Sequence, residues 1–242
     1  MLALLVCALG ACALVFCLAG CGNSSSSSSG SSSGSSSSSS SSSSSKSSSS
    51  TSSNVKSSAE GQYASGTHHA TVTVEGYDPF TITLDADAAP VTVSNFCELA
   101  NQGFYNGKTF YRFVQGFCMQ GGSTGNSASI VDDGLTPIVG EFSANSKTNA
   151  LASDFKKGTV AMARSSDKDS ATSTFFVTLS SDETTKSALD GKYAAFGTID
   201  EAGMAVVDKI VEAYLPNVDD SSSGAISDES KQAKITGIVV DD

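Results

Sequence analysis

Residues 110–122 read F-Y-R-F-V-Q-G-F-C-M-Q-G-G and hold the side chains best suited to chemistry in this chain. Arg112 stands among aromatic residues, and Phe117, Cys118 and Gln120 follow close behind it. A guanidinium presents planar, directed donors and keeps its charge at any working pH, so it can act by hydrogen bonding alone. An amide such as that of Gln120, placed across a strand pair, is a means of orienting it. Bulky residues on both sides of Val114-Gln115-Gly116 predict a tight antiparallel hairpin, with Gly116 supplying the positive φ of the turn. The two-residue period of a strand puts Phe110 and Arg112 on one face, Cys118 and Gln120 together on the next strand, and Phe117 at the turn. From the hairpin alone, the plainer reading of Arg112 is an exposed charge on an edge strand.

Other chemistries find less support. The 242-residue chain carries a formal net charge of −11. Its lysines form no basic stripe, which argues against a nucleic-acid partner. His68 and His69 are the only histidines, and no further ligands stand near them, so they read as strand-start residues and not as a metal site. A hydrolase is disfavoured because no G-x-S-x-G elbow is present. Of the six cysteines only Cys97 and Cys118 fall in the body, so a disulfide framework is not expected, although one bridge between them is possible in an oxidising compartment.

The positions of these residues follow from the organisation of the chain. Residues 1–20 are almost wholly apolar and end in L-A-G before Cys21. Small residues before a cysteine resemble the lipobox of a bacterial lipoprotein signal peptide. That resemblance implies cleavage, lipidation of Cys21, and anchoring to the outside of the cell membrane; a basic n-region is missing. An uncleaved spanning helix is the alternative, since about 20 apolar residues cross a bilayer. Residues 21–67 carry a nearly pure serine tract, which reads as a disordered spacer. A coil of about 45 residues spans roughly 35–40 Å. Residues 68–242 form the one folded domain.

Within that domain, alternation predicts strands over 69–74, 80–84, both arms of the hairpin, 158–163, 174–179, 195–199 and 234–240. Helical spacing marks 91–102, which Gly103 stops, and 204–213. The stretch from Ser123 to Phe142 reads as polar loop. Eight strands with an early and a late helix predict a mainly β fold, an eight-stranded closed antiparallel barrel capped by two α-helices.

The body also resembles the cyclophilin family of peptidyl-prolyl cis-trans isomerases. The resemblance rests on A-P-V-T-V-S-N-F (89–96), G-F-Y-N-G (103–107), the 110–122 hairpin, G-T-V-A-M-A (158–163), T-F-F-V (174–177) and L-D-G-K (189–192), in that order. It implies the same barrel, isomerase activity on X–Pro bonds, no cofactor or metal, and a monomer acting on proline-containing polypeptides. By this match Arg112 is the catalytic arginine, Phe117 the proline-pocket phenylalanine and Gln120 the arginine-orienting glutamine. Phe176 and Leu189 match pocket walls. Ala163 and Arg164 match a strand end whose backbone contacts the peptide, and Tyr193 stands where many members carry histidine.

Three departures alter the pocket. Cys118 replaces a methionine, Thr174 a glutamine, and Ala188 a tryptophan that assists cyclosporin binding. The first two bear on affinity and sequence preference; the third implies weak or no cyclosporin binding. With a membrane anchor, the expected role is assistance to the folding of exported proteins. The competing expectation is a membrane-tethered peptide-binding or chaperone module with little turnover.

Overall fold

Strand β1 (Thr67–Val74) turns Ala70, Val72 and Val74 inward and leaves His69 and Thr73 exposed, the pattern of a strand with one wet face. It belongs to a computed structural model that describes residues 54–128 and 133–241. The expected signal segment, Cys21 and most of the serine-rich spacer lie outside the described residues. Seven further strands follow: β2 (Phe80–Asp85), β3 (Thr109–Val114), β4 (Cys118–Gly121), β5 (Thr159–Met162), β6 (Phe175–Thr178), β7 (Ala195–Ile199) and β8 (Ala233–Asp241). They close into an antiparallel barrel in the order β1-β2-β7-β5-β6-β4-β3-β8. The eight-stranded barrel expected from the pattern is the observed fold.

The two expected helices are α1 (Pro90–Asn101) and, numbered by position, α3 (Glu201–Tyr214); between them lies a short third one, α2 (Glu183–Leu189). Phe96 and Cys97 of α1 and Val207 and Ile210 of α3 are fully buried in the cluster that fills the barrel. Gly103, at φ 68°, closes α1 as anticipated, with Phe104 N–H donating to Leu99 O at 3.0 Å. Among the described residues no helix is long and apolar enough to cross a membrane.

The start of α1 is capped from a distance. Pro90 opens the helix, but Ala89 offers no side-chain acceptor. Glu141 supplies it instead, accepting from Val91 N at 3.1 Å, Thr92 N at 2.8 Å and Thr92 Oγ1 at 2.7 Å, with 6% of its surface exposed. A carboxylate there pairs orphan N–H groups and meets the positive end of the helix dipole. Replacing Glu141 with alanine leaves those buried donors unpaired, and a loss of about 1–3 kcal/mol is expected. Thermal denaturation checks this; an unchanged midpoint would show the cap to be dispensable.

Three expectations need correction. Phe110 and Arg112 do not share a face. The β3–β4 register shifts between them, and both Phe110 and Phe113 enter the barrel core. The bulge at Tyr111 inserts one residue and reverses the alternation. Glu141 and Phe142 are not polar loop but buried, at 6% and 1% exposure. Packing also reaches N-terminal to residue 68. Lys56 pairs with Ile138 and ion-pairs Glu98 at 2.8 Å, and Val55, Ala59 and Tyr63 lie against the core. Cys97 and Cys118 lie in different clusters with no disulfide between them, so the bridge allowed as a possibility is not formed.

Candidate active site

β5 and β6 are buried along their whole length on both faces, as is β4 except at Gln120, and that double burial builds the site. Met119, Val160, Met162, Phe175 and Val177 point into the barrel. Their neighbours Cys118, Ala161 and Phe176 point the other way and join Phe142, Phe155 and Leu189 in a second, outer cluster. Phe117, Ala163 and Tyr193 pack against its rim and remain partly exposed. Six of the residues expected to bind substrate or line the proline pocket thus share one apolar cluster: Phe117, Cys118, Ala163, Phe176, Leu189 and Tyr193.

Arg112 stands at the edge of this cluster. β3 and β4 pair Arg112 with Gln120, and β6 sets Phe176 beside Gln120. The guanidinium Nη1 donates to Gln120 Oε1 at 3.1 Å and to Cys118 Sγ at 3.0 Å. The guanidinium has only donors, so it sets Oε1 of the amide toward itself, and Gln120 Nε2 in turn donates to Tyr111 Oη at 3.2 Å. Nε of Arg112 donates to the carbonyl of Ser223 at 2.6 Å. The expected pairing of Arg112 with Gln120 is therefore present, and the half-buried arginine is no loose surface charge.

The outer cluster is braced by aromatic geometry. Phe176 and Tyr193 meet edge to face, with centroids 5.6 Å apart and planes at 89°. Phe155 stacks behind Phe176 at 6.4 Å. The guanidinium of Arg164 lies 4.8 Å from the Tyr193 ring centre and 5.2 Å from that of Phe142. Its Nε and Nη2 also donate to Lys192 O at 3.1 and 2.8 Å. Arg164 thus contributes its side chain, clamping the turn that carries Tyr193. Thr174, like Arg164, stays outside the apolar cluster. It is half-buried, and its carbonyl accepts from Ala163 N at 2.8 Å.

Tyr111, Phe142 and Ser223 take part without having been anticipated. Regular alternation puts Tyr111 on the wrong face, Phe142 is a lone aromatic in a polar stretch, and Ser223 contributes only a backbone carbonyl. Among the described residues no cluster of histidine, cysteine and acidic side chains has the makings of a metal site.

Comparison with known proteins agrees with this fold. Residues 69–238 match the family model described as cyclophilin type peptidyl-prolyl cis-trans isomerase/CLD. Peptidyl-prolyl cis-trans isomerase A of Dickeya dadantii (strain 3937) is 39% identical over 138 residues, covering 57% of this chain and 68% of that protein. Peptidyl-prolyl cis-trans isomerase B of Escherichia coli (strain K12) is 32% identical over 149 residues, covering 60% of this chain and 80% of that protein. The crystal structure of a Cryptosporidium parvum cyclophilin type peptidyl-prolyl cis-trans isomerase has the same fold, with a TM-score of 0.56 at 21% identity, over 73% of this chain and 99% of that one. With its barrel and an arginine beside an outer apolar cluster, the chain belongs to the cyclophilin-type peptidyl-prolyl cis-trans isomerases.

Proposed function

We propose that this isomerase works outside the cytoplasm on proline-containing segments of exported proteins, held to the membrane by lipid on Cys21, and that Arg112 carries its catalysis. The observation behind the catalytic part is the guanidinium of Arg112, fixed by Gln120 and the Ser223 carbonyl beside the apolar surface of Phe117, Phe176, Leu189 and Tyr193.

Rotation about an X–Pro bond is slow because resonance stiffens the C–N bond, with a barrier of roughly 18–20 kcal/mol. No bond is made or broken. As the bond twists, conjugation is lost and the imide nitrogen becomes pyramidal and more basic. A guanidinium donor aimed at that nitrogen binds the twisted state more strongly than the planar one, which lowers the barrier. The proline ring sits against Phe176, Leu189 and Tyr193, where exclusion of water strengthens the charge-assisted hydrogen bond. Gln120 keeps the guanidinium in one orientation, so little reorganisation is needed as the bond turns. The direct test is Arg112→Ala in a proline-limited refolding assay, and undiminished catalysis would overturn the mechanism.

The membrane part of the reading is supported by the L-A-G sequence before Cys21 and by the serine tract that follows. Mass spectrometry of the mature N-terminus tests it. A diacylated or triacylated Cys21 is the expected result, and an intact Met1 the contrary one.

Ligand preference follows from one exposed position. Ala188 lies at the end of α2, next to the buried Leu189 of the pocket, and presents only a methyl group. Cyclosporin binding is expected to be weak. Ala188→Trp adds an aromatic face there and is expected to tighten binding about tenfold, equivalent to about 1.4 kcal/mol. Titration calorimetry of the two proteins gives the comparison, and equal affinities would exclude this position as the determinant.

A further inference from the structure

We propose that the loop of residues 219–225 is a positioning element for Arg112, with Asp220 as the positioning residue that sets its shape. The inference rests on the catalytic reading of Arg112 and adds a second support to that of Gln120.

The loop fills a gap in the barrel. β8 pairs with β3 only at Thr109 and Phe110. Beyond them the edge of β3 is taken over by the loop: Phe113 N donates to Gly224 O at 2.8 Å, Ile226 N donates to Tyr111 O at 2.9 Å, and Ala225 bridges Arg112. Gly224 makes the close approach possible. It has φ +80°, and a Cβ there would lie 2.5 Å from Val114 Cγ2 and 2.7 Å from the Phe113 carbonyl oxygen.

This docking delivers the Ser223 carbonyl to Nε of Arg112 at 2.6 Å. Gln120 holds the same group through Nη1. A planar group held at one nitrogen can still swing about that contact, whereas two anchors on different nitrogens define its plane. The plane matters because the guanidinium's donors lie in it, and a mis-set plane aims them away from the twisting imide nitrogen.

Asp220 holds the carbonyl in place. Its carboxylate accepts from Ser222 N at 3.0 Å, Ser222 Oγ at 2.6 Å and Ser223 Oγ at 2.7 Å, and its own carbonyl accepts from Gly224 N at 2.7 Å. These hydrogen bonds to the charged form lower its pKa from 3.8 to about 2, so the carboxylate remains an acceptor under ordinary assay conditions. Asp219 ties the far end, accepting from Ser227 N and Oγ at 3.1 Å. The buried Gln232 joins the loop to its surroundings, donating to Ile226 O at 2.7 Å and to Asn126 O at 3.0 Å.

The chain has only two arginines, Arg112 and Arg164, so its Nε–Hε spectrum holds two resonances, and Arg164→Lys assigns them. In the full-length protein, Asp220→Ala is expected to shift the Arg112 resonance and speed its exchange with solvent. It is also expected to lower kcat about five- to tenfold while KM stays within about twofold, because misplacement of a catalytic group by less than 1 Å carries such a cost. Asp220→Asn keeps an acceptor oxygen in place and should recover most of the loss. In an Arg112→Lys background, which lacks the Nε anchor, Asp220→Ala should cost less than about twofold. Gly224→Ala, which displaces the carbonyl without touching a carboxylate, should reproduce the loss of kcat if Asp220→Ala fails to fold. An unmoved Arg112 resonance with unchanged kcat overturns the proposal, as does an equal loss in the lysine background. Full activity of Arg112→Ala would instead overturn the catalytic reading of Arg112 itself.

Discussion

Arg112→Ala is expected to lower kcat/KM in a proline-limited assay by about 10²–10³-fold, the typical cost of removing one preorganised donor from a transition state. The loss should fall mainly on kcat. In the proposed reading substrate is held by the apolar cluster of Phe117, Phe176, Leu189 and Tyr193, which the substitution leaves in place. Arg112→Lys keeps the charge but loses the planar fork that meets Gln120 and Ser223 at once, so an intermediate loss is expected. Arg112 is half-buried, so the alanine variant should remain folded, and circular dichroism would separate lost chemistry from lost structure. A folded Arg112→Ala protein with its kcat/KM intact would remove the guanidinium from the mechanism.

Phe175→Ala has the opposite signature. Phe175 is fully buried, and its ring meets those of Phe96, Tyr105 and Phe110 with centroids 5.5–5.6 Å apart. Removing it opens a cavity between β6, α1 and β3, at an expected cost of about 3–5 kcal/mol. For a domain of this size each kcal/mol moves the melting temperature by about 2–4 °C, so a fall on the order of 10 °C is expected. The folded fraction should keep its kcat, because Phe175 points into the barrel and its neighbour Phe176 points into the outer cluster. Urea denaturation, with activity measured at low temperature on the same sample, checks both halves. A stable variant with depressed kcat would mean that the two faces of β6 are not independent.

How much of this could be read from the chain alone depended on the range of the forces involved. The 69–74 strand, the helix stopped by Gly103 and the hairpin turning at Gly116 are local, set by alternation and by positive φ, and the structure places all of them. The Arg112–Gln120 pairing was legible for the same reason, since a short hairpin leaves few registers. The parity of Phe110 was not, because a bulge has no side-chain signature of its own. Phe142 and Glu141 were missed because their partners, Arg164 and the start of α1, are distant in sequence. α2 spans seven residues, too few for helical periodicity to stand out. The Ser223 carbonyl was the least visible of all, because a backbone atom has no residue type.

The bulge at Tyr111 bears on how this protein tolerates change in length. A substitution at Tyr111 alters one ring and one hydroxyl. Deletion of that residue would instead restore the regular pleat between Phe110 and Arg112 and force one of them to change sides. Either Phe110 leaves the core or a guanidinium enters it, and no exchange of side chains elsewhere repairs that. A change of residue count at Tyr111 is therefore expected to be tolerated less well than an exchange of its side chain, because the count and not the ring decides which of Phe110 and Arg112 faces the core.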